Sequence, residues 1–182
     1  WSSDVCSSDL KSPERAAQGD AEQLALTMLS AGGISAGYRG WCHGILAQLA
    51  IARGQPEDAV RLAREALPLC QRVPLRYLWV QAQCARALLE SGDTRRAQQV
   101  TREMLERVDH QGGAGYVEVL VRAVAARVLA AVGDDARAEA QQHEARRQLL
   151  LRADRIPQAD WRSKYLSAIA EHAALLGAAP PS

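Results

Sequence analysis

The chain has 182 residues, 22 Lys and Arg against 21 Asp and Glu, a formal net charge of +1, and an apolar content of 48%. This composition predicts a soluble globular protein and argues against the dense basic surface of a general nucleic-acid binder. No apolar run approaches the roughly 18 residues that cross a bilayer, and four scattered cysteines do not make a disulfide framework.

Residues 1–10 read WSSDVCSSDL and show no apolar period. They resemble the translation of a common sequencing adaptor at all ten positions. We therefore interpret them as a disordered artefact and exclude them from the fold. On this interpretation the chain is a fragment, and we expect a longer parent protein to continue upstream of residue 11.

Through the rest of the chain, apolar residues recur at intervals of three and four, which is typical of amphipathic helices. The sequence is rich in Ala, Leu, Arg, Glu and Gln, which are good helix formers. The pattern predicts helices over 21–31, 38–53, 56–72, 75–91, 94–108, 116–132, 135–152, 159–167 and 170–177. We group them as a truncated first repeat over 11–37, three helix-pair repeats over 38–153, capping helices over 154–177 and a tail over 178–182.

Three glycine-centred turns give the helices a repeat. Gly54, Gly92 and Gly133 lie 38 and 41 residues apart. Alanines lie seven residues before and five residues after these glycines, at Ala47, Ala85 and Ala126 and at Ala59, Ala97 and Ala138. Glycine ends a helix in the left-handed conformation without a Cβ penalty, and small residues at fixed positions let two helices approach closely. The repeat therefore predicts helix pairs that stack on one another.

The turn glycines and these alanines, with Ala66 and Ala145 in the second helices, resemble the tetratricopeptide repeat family over residues 19–152. The repeat interval here is longer than the family's usual ~34 residues. The resemblance implies an all-α fold, namely a right-handed α-solenoid of antiparallel helix pairs. It also implies that the first helix of each pair lines a concave face that holds extended peptides.

The stretch WRSKYL at 161–166, with the residues that follow to Leu176, provides a second resemblance. It is similar to the ending of large bacterial ATPase-type signalling and transcription regulators that carry C-terminal tetratricopeptide repeats. This resemblance implies that the chain is the C-terminal repeat region of a cytoplasmic regulator.

The expected concave face predicts a groove for a partner. The candidate groove residues are Trp41, Gln48, Trp79, Arg86 and Arg127, which lie thirteen or six residues before the turn glycines. Trp and Arg dominate binding hot spots, and paired Arg side chains can hold a carboxylate or phosphate. Two structural alternatives stay open. The tryptophans could form core between repeats, and the arginines could be solvated or paired with Glu90 and Glu118.

The sequence shows no catalytic or cofactor chemistry. Cys42 and His43 are adjacent, so on a helix they point about 100° apart and do not share a metal easily. Cys42, Cys70 and Cys84 lack metal-ligand spacing, and we predict that they are small buried apolar side chains. The glycines at 112–115 are not followed by the Lys of a phosphate loop. We expect no enzymatic activity, no cofactor and no metal.

We interpret the chain as a non-catalytic scaffold for protein–protein interaction. Its partner would be a protein or peptide segment, either separate or in another domain of the same parent chain. The alternative function is a ligand-sensing arm that binds a small anionic effector in the concave groove. We expect no membrane partner, because no apolar run is long enough to cross a bilayer. We expect no nucleic-acid partner, because the arginine-rich stretch 146–155 lacks interleaved aromatic residues and its arginines complement a helix C-terminus.

Overall fold

A computed structural model describes residues 13–177, so the predicted adaptor segment 1–10 and the predicted tail 178–182 lie outside the described residues. Every regular element within 13–177 is helical. The helices are α1 (Pro13–Ser30), α2 (Ala36–Ala52), α3 (Pro56–Cys70), α4 (Pro74–Glu90), α5 (Thr94–Gln111), α6 (Glu118–Ala131), α7 (Asp135–Ala153), α8 (Ala159–Ser167) and α9 (Ala170–Leu175). A single 3-10 turn, Gly115–Val117, precedes α6.

The helix boundaries agree with the predicted ones to within two residues, except at two places. α1 begins at Pro13 instead of residue 21, because residues 14–20 lack an apolar period but include good helix formers, and Pro is favourable in a first turn. α5 continues to Gln111 instead of residue 108, because the first residue that leaves the helical conformation is Gly112, with φ 70°. The connection from α5 to α6 is therefore 112–117.

The three predicted glycine turns share one geometry. Positive φ values of 69°, 82° and 78° occur at Gly54, Gly92 and Gly133. In each turn the N–H after the glycine donates to the carbonyl five residues earlier, as Asp93 donates to Leu88 at 2.9 Å. This is the Schellman hydrogen bond, which satisfies carbonyls at a helix end. The aspartates after the second and third glycines then accept N–H bonds and cap α5 and α7.

The helices α2, α4 and α6 form one contiguous layer. Each helix from α1 to α7 packs on the next, and α4 also contacts both α2 and α6. Within residues 13–177, by contrast, α3, α5 and α7 do not contact one another. All six repeat alanines are buried, at no more than 8% exposure. The small side chains therefore lie where the helices pack, as the repeat predicts.

Three glycines on α2 bring this helix unusually close to its neighbours. A Cβ at Gly40 would lie 2.6 Å from the sulfur of Cys70 on α3. A Cβ at Gly44 would overlap the indole of Trp79 on α4, and one at Gly37 would lie 3.1 Å from a methyl group of Val73. A side chain at Gly40 or Gly44 would force α3 or α4 to shift, and one at Gly37 would make a tight contact, so the three glycines help to set how α3 and α4 lie against α2.

The predicted capping segment 154–177 divides into two unequal parts. α8 has no buried residue, and its Trp161 is 67% exposed. α9 contacts α6, α7 and α8, and its Ala173 is buried. The C-terminal contact with the layer of first helices is therefore made by α9.

Candidate functional site

A cleft of about 300 Å³ opens between α2 and α4. It is lined by Trp41, Ile45 and Gln48 of α2, by Arg76 and Trp79 of α4, and by Tyr116 of the 3-10 turn. We call this the aromatic cleft. It brings together three of the five predicted groove residues, namely Trp41, Gln48 and Trp79.

The spacing of residues along α2 explains how that helix lines the aromatic cleft. Trp41, Ile45 and Gln48 are separated by four and three residues, which places them on one face of a helix. On α4, Arg76 and Trp79 lie three residues apart. Arg76 follows Tyr38 by 38 residues, and Trp79 follows Trp41 by the same number, which is one repeat interval. The two helices therefore present equivalent positions to the cleft.

Arg76 is held against two aromatic rings. Its guanidinium carbon lies 4.2 Å from the ring centre of Tyr38 and 5.4 Å from that of Trp41. The two rings are themselves 6.3 Å apart and tilted by 57°. These are cation–π distances. No carboxylate within the described part of the chain pairs with Arg76, so its charge is available to a ligand.

The two tryptophans of the cleft differ in burial. Trp79 is half-buried, lies against the backbone of Gly44 and packs on the main apolar core. For Trp79, this packing agrees in part with the alternative that the tryptophans belong to the apolar core between repeats. Trp41 is 39% exposed and Tyr116 is 71% exposed. An apolar group of a partner could therefore cover both of these rings.

The position of Tyr116 is set by contacts around the 3-10 turn. Arg152 of α7 donates to the carbonyl oxygens of Gly115 and Tyr116. Ala114 is buried, and its N–H donates to the carboxylate of the buried Glu118 at 3.3 Å. Arg152 lies in the last turn of α7, as its predicted helix-end position requires, and its guanidinium also reaches this 3-10 turn. The turn is therefore anchored on both sides while the ring of Tyr116 projects to the surface.

Arg86 and Arg127 lie outside the aromatic cleft, in a second cleft of about 510 Å³ between α6, α7 and α9. Arg86 pairs with Glu171 of α9 at 2.9 Å, and Arg127 pairs with Glu90 at 2.8 Å. The structure thus agrees with the alternative that a groove arginine pairs with Glu90, since Arg127 does so. Glu118, the other partner considered, pairs with Arg122 of its own helix. Both predicted groove arginines are therefore ion-paired within the chain.

Sequence reasoning missed Tyr38, Arg76 and Tyr116. The repeat could have indicated Tyr38 and Arg76, because these two residues are 38 positions apart, as the two tryptophans are. Tyr116 has no such signal. It comes from the connection between α5 and α6, and its anchor Arg152 is 36 residues away in sequence.

The remaining chemistry of residues 13–177 is limited. No group of three His, Cys, Asp or Glu side chains in this range could hold a metal ion, and none of its helices is long and apolar enough to cross a membrane. Cys42, Cys70 and Cys84 are buried, as predicted. Burial raises the pKa of all three thiols, to about 11 for Cys84. Thiols with such a pKa are poor nucleophiles at neutral pH.

Comparisons with protein-family models, with curated proteins and with solved structures found no match to this chain. The aromatic cleft is therefore the feature from which a function can be inferred. It combines two exposed rings, one unpaired cation and the exposed amide of Gln48.

Proposed function

We propose that the chain is a non-catalytic protein-binding module of the tetratricopeptide type, and that the aromatic cleft holds an extended segment of a partner. One observation carries this proposal. The exposed ring of Trp41 and the unpaired guanidinium of Arg76 lie side by side in a cleft between two helices. Trp and Arg, placed in a central cleft, are the residues that most often dominate protein interfaces.

The packing of the helices supports a solenoid of helix pairs, and the tetratricopeptide resemblance implies that it is right-handed with antiparallel pairs. The first helices α2, α4 and α6 contact one another in order, whereas α3, α5 and α7 contact only first helices among the helices of the repeats. A stack of helix pairs gives this pattern when the first helices line its inner face. The shared geometry of the turns at the three repeat glycines supports a similar arrangement of the two helices within each pair.

The lining of the cleft indicates what kind of segment it would bind. Trp41 and Tyr116 offer apolar surface, and Arg76 offers a planar cation beside it. Such a cation binds a carboxylate through two parallel hydrogen bonds. The amide of Gln48 could bond the backbone of an extended chain. We therefore propose a partner segment with an apolar side chain next to Asp or Glu.

The alternative function, a small anionic effector held between Arg86 and Arg127, has less support. An anion there would have to displace Glu171 from Arg86 and Glu90 from Arg127. Arg76 lies in the aromatic cleft without a carboxylate partner in the described part of the chain, so an anion bound there needs no such displacement. We therefore prefer the peptide-binding function in the aromatic cleft.

The likeness of residues 161–176 to the ends of bacterial regulators supports the wider part of the proposal. According to this wider proposal, the repeats are the C-terminal region of a larger cytoplasmic signalling or transcription regulator. The partner segment then belongs either to a separate protein or to another domain of the same parent chain.

Selection of peptides from a random display library against the whole chain tests the proposal. We expect enrichment of segments that carry an apolar residue beside Asp or Glu. Affinities of selected peptides are then measured by fluorescence polarisation for Trp41→Ala and Arg76→Ala. We expect Trp41→Ala to weaken binding roughly 30-fold, which is the scale of an interface hot spot.

Trp161→Ala is the matched control, because it removes an equally large exposed ring from α8, outside the cleft. It should bind the peptides as the unmodified chain does, and circular dichroism should show all three variants to be folded. Peptides that bind equally well to Trp41→Ala and to the unmodified chain would refute the proposal, and so would a library that gives no enrichment.

A further inference from the structure

A third cleft lies between α5 and α7. α5 and α7 do not contact each other, and Leu129 of the intervening α6 is among the residues between them. The cleft has a volume of about 380 Å³. It is lined by Arg95, Gln98, Gln99, Thr101, Arg102 and Leu105 of α5, by Leu129 of α6 and by Arg137 of α7.

Three arginines surround this cleft from two helices. Arg95 and Arg102 are seven residues apart on α5, which is two helical turns or about 10 Å, and Arg137 comes from α7. Among the side chains that the structure describes, no carboxylate pairs with Arg95 or Arg102. Arg137 contacts Asp134 at 3.4 Å, a long ion pair at the start of its own helix. The cleft therefore carries an excess of positive charge.

The polar groups between the arginines include one that lacks a partner. Thr101 is only 1% exposed, and its hydroxyl makes no hydrogen bond in the structure. Buried hydroxyls are normally hydrogen-bonded, because an unmade bond costs free energy. The amide of Gln99 is bonded to Glu103 of the same helix, whereas Gln98 makes no hydrogen bond within the described range. The lining of the cleft thus combines three guanidinium groups and an exposed amide with a buried hydroxyl that lacks a partner.

We propose that this cleft binds a phosphate group carried by a small molecule. Guanidinium groups match the oxygens of a phosphate through paired, charge-assisted hydrogen bonds, and a Thr hydroxyl and a Gln amide add neutral donors. The volume lies near the lower end of the roughly 300–1,000 Å³ that ligand pockets span, so it suits a small molecule. Leu105 and Leu129, which are largely buried, form the apolar part of its lining. This proposal is independent of the peptide-binding function.

Isothermal titration calorimetry tests the proposal: the whole chain is titrated with inorganic pyrophosphate at constant ionic strength. We expect one saturable site. Arg102→Ala and Arg137→Ala should each weaken it about tenfold or more, since each removes charge-assisted hydrogen bonds. Thr101→Val, which keeps the shape of the side chain and removes the hydroxyl, should also weaken it.

Arg146→Ala is the control, because Arg146 is exposed on α7, lies outside the cleft and makes no ion pair in the described range. It should leave the affinity unchanged. Failure to saturate in the millimolar range would overturn the proposal. Equal weakening by Arg146→Ala and Arg102→Ala would overturn it too, because the attraction would then come from net charge alone. Tighter binding of a phosphoserine peptide than of pyrophosphate would exclude the small-molecule source.

Discussion

The indole of Trp79 lies directly against the backbone of Gly44, so that a side chain at this glycine would occupy the space of the ring. The contact joins α2 and α4, the two helices that form the aromatic cleft. It also leaves the ring only half-buried, with its remaining surface forming a wall of the cleft. Helix packing and the shape of the site thus depend on the same pair of residues.

Gly44→Ala should destabilise the chain by about 1–3 kcal/mol, which is the usual cost of overpacking a core. The new methyl group would force either the indole of Trp79 or the whole of α2 to move. Thermal and urea denaturation measure the change. Gly19→Ala is the control, because Gly19 is on α1 with nothing within 4 Å of an added Cβ. It should stabilise the chain by up to about 1 kcal/mol through helix propensity. A Gly44→Ala chain as stable as the original would contradict the packing described.

Glu171→Gln should loosen α9. The variant keeps the side-chain shape but removes the negative charge that binds Arg86 across the second cleft at 2.9 Å. Hydrogen–deuterium exchange should show roughly fivefold faster exchange in α9, corresponding to the loss of about 1 kcal/mol for a partly buried ion pair. Glu90→Gln removes the equivalent charge from Arg127 and should leave α9 unchanged. Equal effects of the two variants would show that the Arg86 contact does not hold α9.

The three buried cysteines should resist alkylation in the folded chain. Burial raises the pKa of the Cys84 thiol to about 11, so little thiolate is present at neutral pH. The measurement uses Cys6→Ser, which leaves Cys42, Cys70 and Cys84 as the remaining thiols. Labelling with iodoacetamide should be slow at neutral pH and become fast when denaturant is added. Fast labelling of native Cys84 at neutral pH would be inconsistent with its burial.

Stability should fall in acid partly through Glu144 of α7. Its hydrogen bonds to Arg147 lower the pKa of the carboxyl group to about 2, from an ordinary value of about 4.3 in an unfolded chain. Because the folded-state pKa is the lower one, the contribution is complete above about pH 4.3 and is lost as the pH falls towards 2.

Urea denaturation of Glu144→Gln at several pH values tests this expectation. The variant should be less stable than the original at pH 7, and the difference should shrink as the pH falls below about 4.3. Glu139→Gln, an exposed position on the same helix without a hydrogen bond in the described range, should show no such trend. A difference between Glu144→Gln and the original that is independent of pH would exclude the ion pair as its cause.

The sequence predicted the local features of this fold better than the distant contacts. Helix ends at Gly54, Gly92 and Gly133 could be placed because a left-handed glycine and its hydrogen bonds involve only neighbouring residues. The burial of the repeat alanines followed from the same register. The salt bridge from Arg86 to Glu171 joins residues 85 positions apart, and no periodic pattern marks such a pair.

The candidate site was predicted in part, for the same physical reason. Trp41, Gln48 and Trp79 share positions in the repeat, and the structure brings them together in one cleft. Arg86 has the same position in its repeat as Gln48, but α9 covers it. The covering helix, and not the register, decides which of these residues can meet a partner.

The three turn glycines also show where this repeat can change its length. Between the first and second of them, the helices have 15 and 17 residues, and between the second and third they have 18 and 14, which is the same total. The whole difference between the 38- and 41-residue intervals lies in the connections, 71–73 in one repeat and 112–117 in the other. The longer connection is the one that carries Tyr116 into the aromatic cleft. Binding preference could therefore evolve by insertion in a single connection, while the helical framework keeps its register.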